Sequence, residues 1–405
     1  MHDTGTHTAG PTRRPLMALV VEAFLLFAVL RLGLSLVGVF VATQDVPSPC
    51  HFEEALNGWQ TLPELLRDGP AFPLAGVWER WDACWYIKIA TFGYESGEQS
   101  AAFFPAFPMA VRVVATITFL PYPVAGMIVP AIAFVAAVTG LVRLVETSHG
   151  IVIARRAALY LGIFPSAFFL FAPFTEALFL AAVIWTLVFA RERRWLLAAV
   201  LAFVAGLTRV QGLLLVLPLA WEALVAARDA RSDRRLATRD GRFIVATSVI
   251  ATVAPAIAFL GFALAARQLS GETPYDAQAF WGGTSFHPPW EVVAASYRWI
   301  VERGDGVQAL NLITLIGSAA LLLATARRMP LTYSLYAWPP IILIALRIQP
   351  TPLTSTIRYV VVLFPIFIVL ALLTGRPWLE RAWVILSLLF LGLLTATFLS
   401  GDFVA

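Results

Sequence analysis

The chain has 405 residues, 59% of them hydrophobic and only 13% charged, with a mean hydropathy of +0.79 and a net charge of +4. Soluble domains run near a quarter charged, so this composition excludes a soluble enzyme and predicts an all-α polytopic membrane protein. The small positive balance suits loops beside anionic lipid and argues against a nucleic-acid partner.

Taken in chain order, the apolar runs predict about eleven spanning helices near 16–41, 122–143, 154–172, 176–190, 195–208, 212–227, 243–266, 307–326, 331–347, 358–374 and 382–399. The first run follows Arg13 and Arg14 and is too long for a cleavable signal, so it reads as a retained helix. A long loop, 42–121, separates the first two crossings, and a second, 267–306, follows the seventh. Within the first loop, residues 103–120 are apolar enough to span, but Pro105, Pro108 and Arg112 favour a helix lying at the interface. No internal repeat or Gly/Ser linker divides the chain, so 1–405 reads as one membrane domain.

Charge sets the orientation. Of 29 basic residues only Lys88 is a lysine. With the N-terminus in the cytoplasm, 18 arginines fall inside, among them Arg155, Arg156, Arg191, Arg193, Arg194, six between Arg228 and Arg242, Arg327, Arg328, Arg376 and Arg381. The inverted arrangement puts them outside, against the positive-inside rule. Both long loops then face the extracytoplasmic side of a cell membrane.

Common soluble-enzyme signatures are missing. There is no Asp-x-Asp pair, phosphate loop, metal-spaced His/Cys cluster or Gly-x-Ser-x-Gly elbow. No metal or cofactor is therefore expected. The first loop is acidic, with Asp45, Glu53, Glu54, Glu64, Asp68, Glu79, Asp82, Glu95 and Glu98. Trp81, Trp85, Tyr86, Phe92 and Tyr94 surround Asp82 in sequence, which suits a membrane-surface site for a sugar or amphipath. An aromatic belt with a merely solvated Asp82 accounts for the same composition. Glu176, Arg209 and Arg358 sit near the outer ends of helices, where ionisable groups are costly and paired or functional. Arg is suited to gripping phosphate; a structural ion pair, or an Arg snorkelling to the surface, is the other reading. Glu22 and Arg31, inside the first helix, read as packing partners between helices.

Cys50 and Cys84, the two cysteines of the chain, share the first loop. On the oxidising side of a bacterial envelope they favour a disulfide beside Asp82, the alternative being two buried thiols.

Several segments carry a family likeness. RWDA, IATFGYE and AFFPAFP, all within residues 80–108, are followed by FPSAFFLFAPFTEALF, GLTRVQGLLL and IRYVVVLFPIF. In this order they resemble the PIG-V type mannosyltransferases, the second mannosyltransferases of glycosylphosphatidylinositol synthesis, and their bacterial relatives. The likeness spans about 78–370. Two positions depart from the pattern: Trp85 stands where the family often has His, and Gln211 where it has Asn.

The resemblance implies the GT-C class, whose members take sugar from a polyprenyl-phosphate on the outer face. It implies mannose transfer from polyprenyl-phosphate-mannose to a lipid or glycan acceptor, with inversion and Asp82 as general base. Arg209 and Arg358 would meet charge on the departing phosphate, with Arg80 and Lys88 as further candidates. Glu95 and Glu176 would place sugar hydroxyls, and Trp81, Gln211 and Tyr359 complete the expected substrate contacts. A GT-C transferase of another sugar, a lipid or solute transporter and a non-catalytic subunit are the rivals.

Overall fold

The computed structural model describes residues 14–44, 50, 69, 71–232, 238–282, 285–349 and 351–404. Asp45, Glu53, Glu54, Glu64, Asp68, Arg13, Arg234 and Arg235 lie outside them. Apart from a two-residue hairpin pairing Ile348–Gln349 with Thr351–Pro352, the regular elements are helical.

Helix α1 (Leu16–Ala42) leaves Val21, Phe24, Leu25, Val29, Leu32, Leu36 and Phe40 uncovered. So much exposed apolar surface is a liability in water and is matched only by lipid. The chain is a polytopic membrane protein. Among the described residues, six helical segments are long and apolar enough to cross a bilayer: Leu16–Ala42, Tyr122–Ile163, Val210–Ser232, Arg239–Ser270, Gly306–Thr325 and Pro377–Leu399. Four shorter apolar helices accompany them, Ala106–Thr118, Trp195–Gly206, Leu331–Ala345 and Phe364–Leu373.

The first loop contributes α2 (Asp82–Phe92) and α3 (Ala106–Thr118). Thirteen residues rise only about 20 Å, short of the roughly 30 Å hydrocarbon layer, which favours an α3 lying flat. Arg112, unwelcome in a spanning helix, caps α2 instead: its guanidinium donates to the carbonyls of Ala90 (2.6 Å) and Thr91 (3.2 Å).

The crossings expected at 122–143 and 154–172 form one element, α4 (Tyr122–Ile163). It breaks at Gly150, whose φ of 77° suits glycine alone. Gly162 comes against the ring of Phe134, so the two arms fold back on each other. The second arm stops at Ile163 and not at 172, because Pro165 removes a donor and the chain turns into a short 3-10 segment, Ala167–Leu170.

Helices α5 (Glu176–Arg191), α6 (Trp195–Gly206), α7 (Val216–Ser232) and α8 (Arg239–Ser270) follow. A Cβ on Gly206 would lie 2.6 Å from the Pro255 carbonyl oxygen, so this glycine permits the close packing of α6 on α8.

The second loop holds α9 (Pro274–Phe280) and α10 (Pro289–Arg303) before α11 (Gly306–Thr325) and α12 (Leu331–Ala345). The expected span 358–374 is broken into α13 (Thr356–Val360) and α14 (Phe364–Leu373), because Pro365 opens a new helix. The last helix is α15 (Pro377–Leu399).

Many arginines expected inside are paired. Glu22 of α1 receives Arg155 of α4, Arg156 reaches Glu380, and Arg143 reaches Glu192. Arg31 does not join two helices; it donates to the Leu74 carbonyl (2.6 Å) and lies over the Trp78 ring.

Candidate functional site

Asp82 is the first residue of α2, where a carboxylate faces the positive end of the helix dipole. The residue before it, Trp81, has φ 53° and ψ −122°, a backbone conformation that a bulky residue adopts only under constraint. Two residues later, Cys84 is joined to Cys50 in a disulfide with a Cα separation of 5.7 Å. The strained turn and the cross-link together hold the start of α2 in place. Non-reduced, alkylated protein should therefore yield one cross-linked Cys50–Cys84 peptide pair by mass spectrometry. Replacing both cysteines by Ser should cost about 3–4 kcal/mol of stability, from the length of loop closed. Full labelling of both thiols in fresh membranes would contradict this.

Glu176 opens α5 and is fully buried, following a stretch whose Phe168, Phe169, Phe171 and Phe174 are buried too. Arg209 leaves the end of α6 in extended conformation (φ −156°). The chain then folds back so tightly that a Cβ on Gly212 would lie 2.2 Å from the Ala205 carbonyl oxygen. This return aims the Arg209 side chain inward. Arg358 lies in α13, and its neighbour Ile357 is held from both sides: its N–H donates to Asn311 Oδ1 (3.1 Å), and its carbonyl accepts from Ser166 Oγ (2.7 Å).

These four charges meet in one chain. Arg209 Nη1 and Arg358 Nε both donate to Glu176 Oε1, and Arg358 Nη1 donates to Asp82 Oδ2 at 2.5 Å. Arg209 also donates to Thr175 Oγ1 (3.0 Å) and Gln211 Oε1 (3.3 Å) and lies over the Tyr359 ring. Arg358 lies over Phe174 and Phe169. Glu176 Oε2 is buried with no hydrogen-bond partner among the described residues. The network is sealed at its Glu176 end. It is open at Asp82, whose side chain is 31% exposed. The opening is a pocket lined by Trp81, Asp82, Phe169, Phe174, Arg358, Phe398, Phe403 and Val404.

A family model described as Mannosyltransferase (PIG-V) matches residues 21–229, just over half of the chain. The chain belongs to the PIG-V mannosyltransferase family. No curated protein and no solved structure matches it. The family match contains Asp82, Glu176 and Arg209; Arg358 joins them from outside it. Membership of this family supports glycosyl transfer as the activity.

In the segment RWDA, Arg80 has a different setting from Asp82. Arg80 is buried, and its Nε donates to the Val77 carbonyl (3.3 Å). Burial pulls its guanidinium down to about 10, so it stays charged at neutral pH. Lys88 and Glu95, expected at the substrate, belong to a cluster of their own. Lys88 pairs with Glu98, lies 3.9 Å from Glu95 and faces the Trp85 ring. Asp82 and Lys88 point apart because six residues turn a helix by about 600°, leaving them roughly 120° apart around the axis.

Tyr86 is also near Asp82, but burial, and then the Asp82 charge, push its phenol up and out of reach of a proton acceptor's role. Sequence reasoning missed Ser166, Asn311, Phe398 and Phe403. Asn311 had a signal, being a polar residue in an apolar helix. Asn311→Ala should strand the buried Ile357 N–H at a cost of about 1–3 kcal/mol, measured by thermal unfolding, and Asn311→Asp should recover part of it. Equal stability of the Ala variant and the native protein would show that the amide does not hold α13. Among the described residues, no group of three or more His, Cys, Asp or Glu could hold a metal ion.

Proposed function

We propose that this chain transfers mannose from polyprenyl-phosphate-mannose to a hydroxyl of a lipid-linked or glycan acceptor, with inversion at the anomeric carbon. The observation that carries the reading is the charge chain Asp82–Arg358–Glu176–Arg209, sealed at one end and open at its carboxylate. It offers the Arg358 guanidinium, backed through Glu176 by the charge of Arg209, to a phosphate and one accessible carboxylate to a hydroxyl. In the resting site Arg358 is held by Asp82. An arriving phosphodiester competes for that guanidinium and releases the carboxylate to act as base.

The acceptor oxygen then bonds to the anomeric carbon as the bond from that carbon to the phosphate oxygen breaks. The proton passes to Asp82, and the electron pair leaves with the phosphate, whose charge Arg358 and Arg209 meet. A phosphate leaves readily, so no second carboxylate is needed as acid. Glu176, fully buried behind Arg358, holds the two guanidiniums in place. No metal or nucleotide enters this scheme, because the guanidiniums carry the electrostatic role.

The same reading has eleven crossings, a cytoplasmic N-terminus and the site at the extracytoplasmic face of the cell membrane. The arginine distribution supports it. The six long apolar helices supply part of that count.

Purified protein given radiolabelled polyprenyl-phosphate-mannose should release the label from the lipid phosphate, to an acceptor or to water. Use of a nucleotide-mannose in its place, or movement of intact donor across a vesicle without cleavage, would overturn the reading.

A further inference from the structure

The aim of Arg358 depends on a short stretch with a costly backbone. Between the hairpin and α13, Leu353 and Ser355 take φ values of 57° and 63°, left-handed conformations that residues with a side chain seldom adopt. Such turns persist only where their surroundings hold them. Hydroxyls within the stretch do part of this. Thr354 Oγ1 donates to the Thr351 carbonyl (2.8 Å), and Thr356 Oγ1 donates to that of Leu353 (2.7 Å). The stretch runs straight into the turn that carries Arg358, whose N–H donates to the Ser355 carbonyl (3.0 Å).

The rest of the hold comes from α11. Its start reads Asp305-Gly306-Val307-Gln308, the spacing of a capping box with Asp as the cap. In such a box the Gln side chain reaches back to the N–H of the cap residue. One half forms: Asp305 Oδ1 accepts from the Gln308 N–H (2.9 Å). The Gln308 side chain has other partners. Its buried Nε2 donates to Ser296 Oγ of α10 (2.9 Å) and to the Pro352 carbonyl of the hairpin. Three residues on, about 4.5 Å along the helix, Asn311 holds the Ile357 N–H. Two buried amides of α11 thus grip the strained stretch at both ends. Polar side chains are expensive in such a place, and capping the helix requires neither contact.

Gln308 also makes the grip depend on the second loop. Ser296 belongs to that loop, and the loop's His287 N–H donates to the Leu346 carbonyl (2.7 Å), just before the hairpin. Earlier in the same loop, Trp281 packs on Trp85, three residues after Asp82 in α2, with ring centroids 5.5 Å apart. Its Nε1 donates to the Gln99 carbonyl (3.2 Å). One loop therefore touches the elements that carry both Asp82 and Arg358.

We propose that Gln308 is a positioning residue for Arg358: by tying the Pro352 carbonyl to Ser296 of the second loop, it sets the guanidinium against Asp82 and toward the donor phosphate. The inference rests on the transferase reading, in which Arg358 exchanges Asp82 for phosphate. A planar fork grips a phosphate only when its plane is held, and a tilted one loses a hydrogen bond. Gln308 touches no substrate. It acts through the backbone between Pro352 and Arg358.

The test uses the whole protein in detergent, with radiolabelled polyprenyl-phosphate-mannose followed both by direct binding and by release of the label. Gln308→Met keeps the length of the side chain and removes both donations. It should weaken donor binding about tenfold and lower kcat by about ten- to a hundredfold, the scale on which a small misplacement away from the chemistry acts. Damage to the fold alone would reduce the number of binding sites and leave the Kd of the remaining sites as it was. Arg358→Lys keeps the charge but has no fork to aim. Adding Gln308→Met to it should therefore change the donor Kd by less than about twofold. Ser296→Ala, a gentler change, should weaken donor binding by about threefold, the scale of one hydrogen bond.

An unchanged Kd in Gln308→Met, or an equal fold-change with and without Arg358→Lys, would overturn the positioning role. Should Gln308→Met fail to fold, Ser296→Ala decides, and a native Kd in that variant overturns the role. Native protein that neither binds nor cleaves polyprenyl-phosphate-mannose sinks the transferase reading, and the positioning role falls with it. Binding and cleavage by native protein, with both variants unaltered, overturns the positioning role alone.

Discussion

Asp82→Asn should lower mannosyl transfer by about 10²–10⁴-fold while the protein stays folded. The amide has the size of the carboxylate and can still accept from Arg358, but it cannot take the acceptor's proton. The stability cost should be small for two reasons. Asp82 is partly open to solvent, and the helix-dipole contribution of a carboxylate in the first turn is only about 0.3–1 kcal/mol. Donor affinity should hold or improve, because the group that competes with phosphate for Arg358 has lost its charge. Single-turnover rate, donor KM and unfolding midpoint, measured on the same preparation, separate these effects. A variant that keeps more than about a third of native turnover excludes Asp82 as the base. Glu79, three residues earlier and buried, is then the carboxylate to test.

How much of this could be read beforehand differs from residue to residue. Asp82, Glu176, Arg209 and Arg358 stood out because each places a charge among apolar neighbours, an expense that local structure alone does not explain. Their convergence across as many as 276 positions of sequence is tertiary, and no period in the sequence encodes it. The membrane class was plain from composition, whereas helix ends were not. In VVVLFPIF every residue is apolar or Pro, so hydropathy runs through the break between α13 and α14 and only Pro365 marks it.

The family resemblance implies substrate roles for Lys88 and Glu95, six and thirteen residues after Asp82. Helical geometry already placed Lys88 on another face, and its partner Glu98 lies beyond the loop that returns through Tyr94, where distance along the chain says little. Phe403 had no signal at all. An aromatic residue four positions past a helix is ordinary, and only the glycine cap at Gly401 brings it against Trp81.

Glu176 is where stability and chemistry meet most directly. Its carboxylate is fully buried and faces two buried guanidiniums, so each charge is tolerable only because the others are present. Glu176→Gln keeps the shape but leaves Arg209 and Arg358 with Asp82 as the one carboxylate among them. The loss should be about 3–5 kcal/mol, the cost of stranding a buried charge, and transfer should fall with it because both guanidiniums lose their aim.

A second substitution distinguishes mutual dependence from simple damage. In Glu176→Gln with Arg209→Gln, one stranded positive charge is removed along with the negative one, and the amides can hydrogen-bond to each other and to Thr175. The double variant should therefore be more stable than the sum of the two single losses allows, a coupling that contacting residues show and distant ones do not. Unfolding midpoints of the native, single and double variants in one detergent measure it. Strict additivity would mean that Glu176 and Arg209 are neighbours without being partners, and Arg358 alone would then carry the donor phosphate.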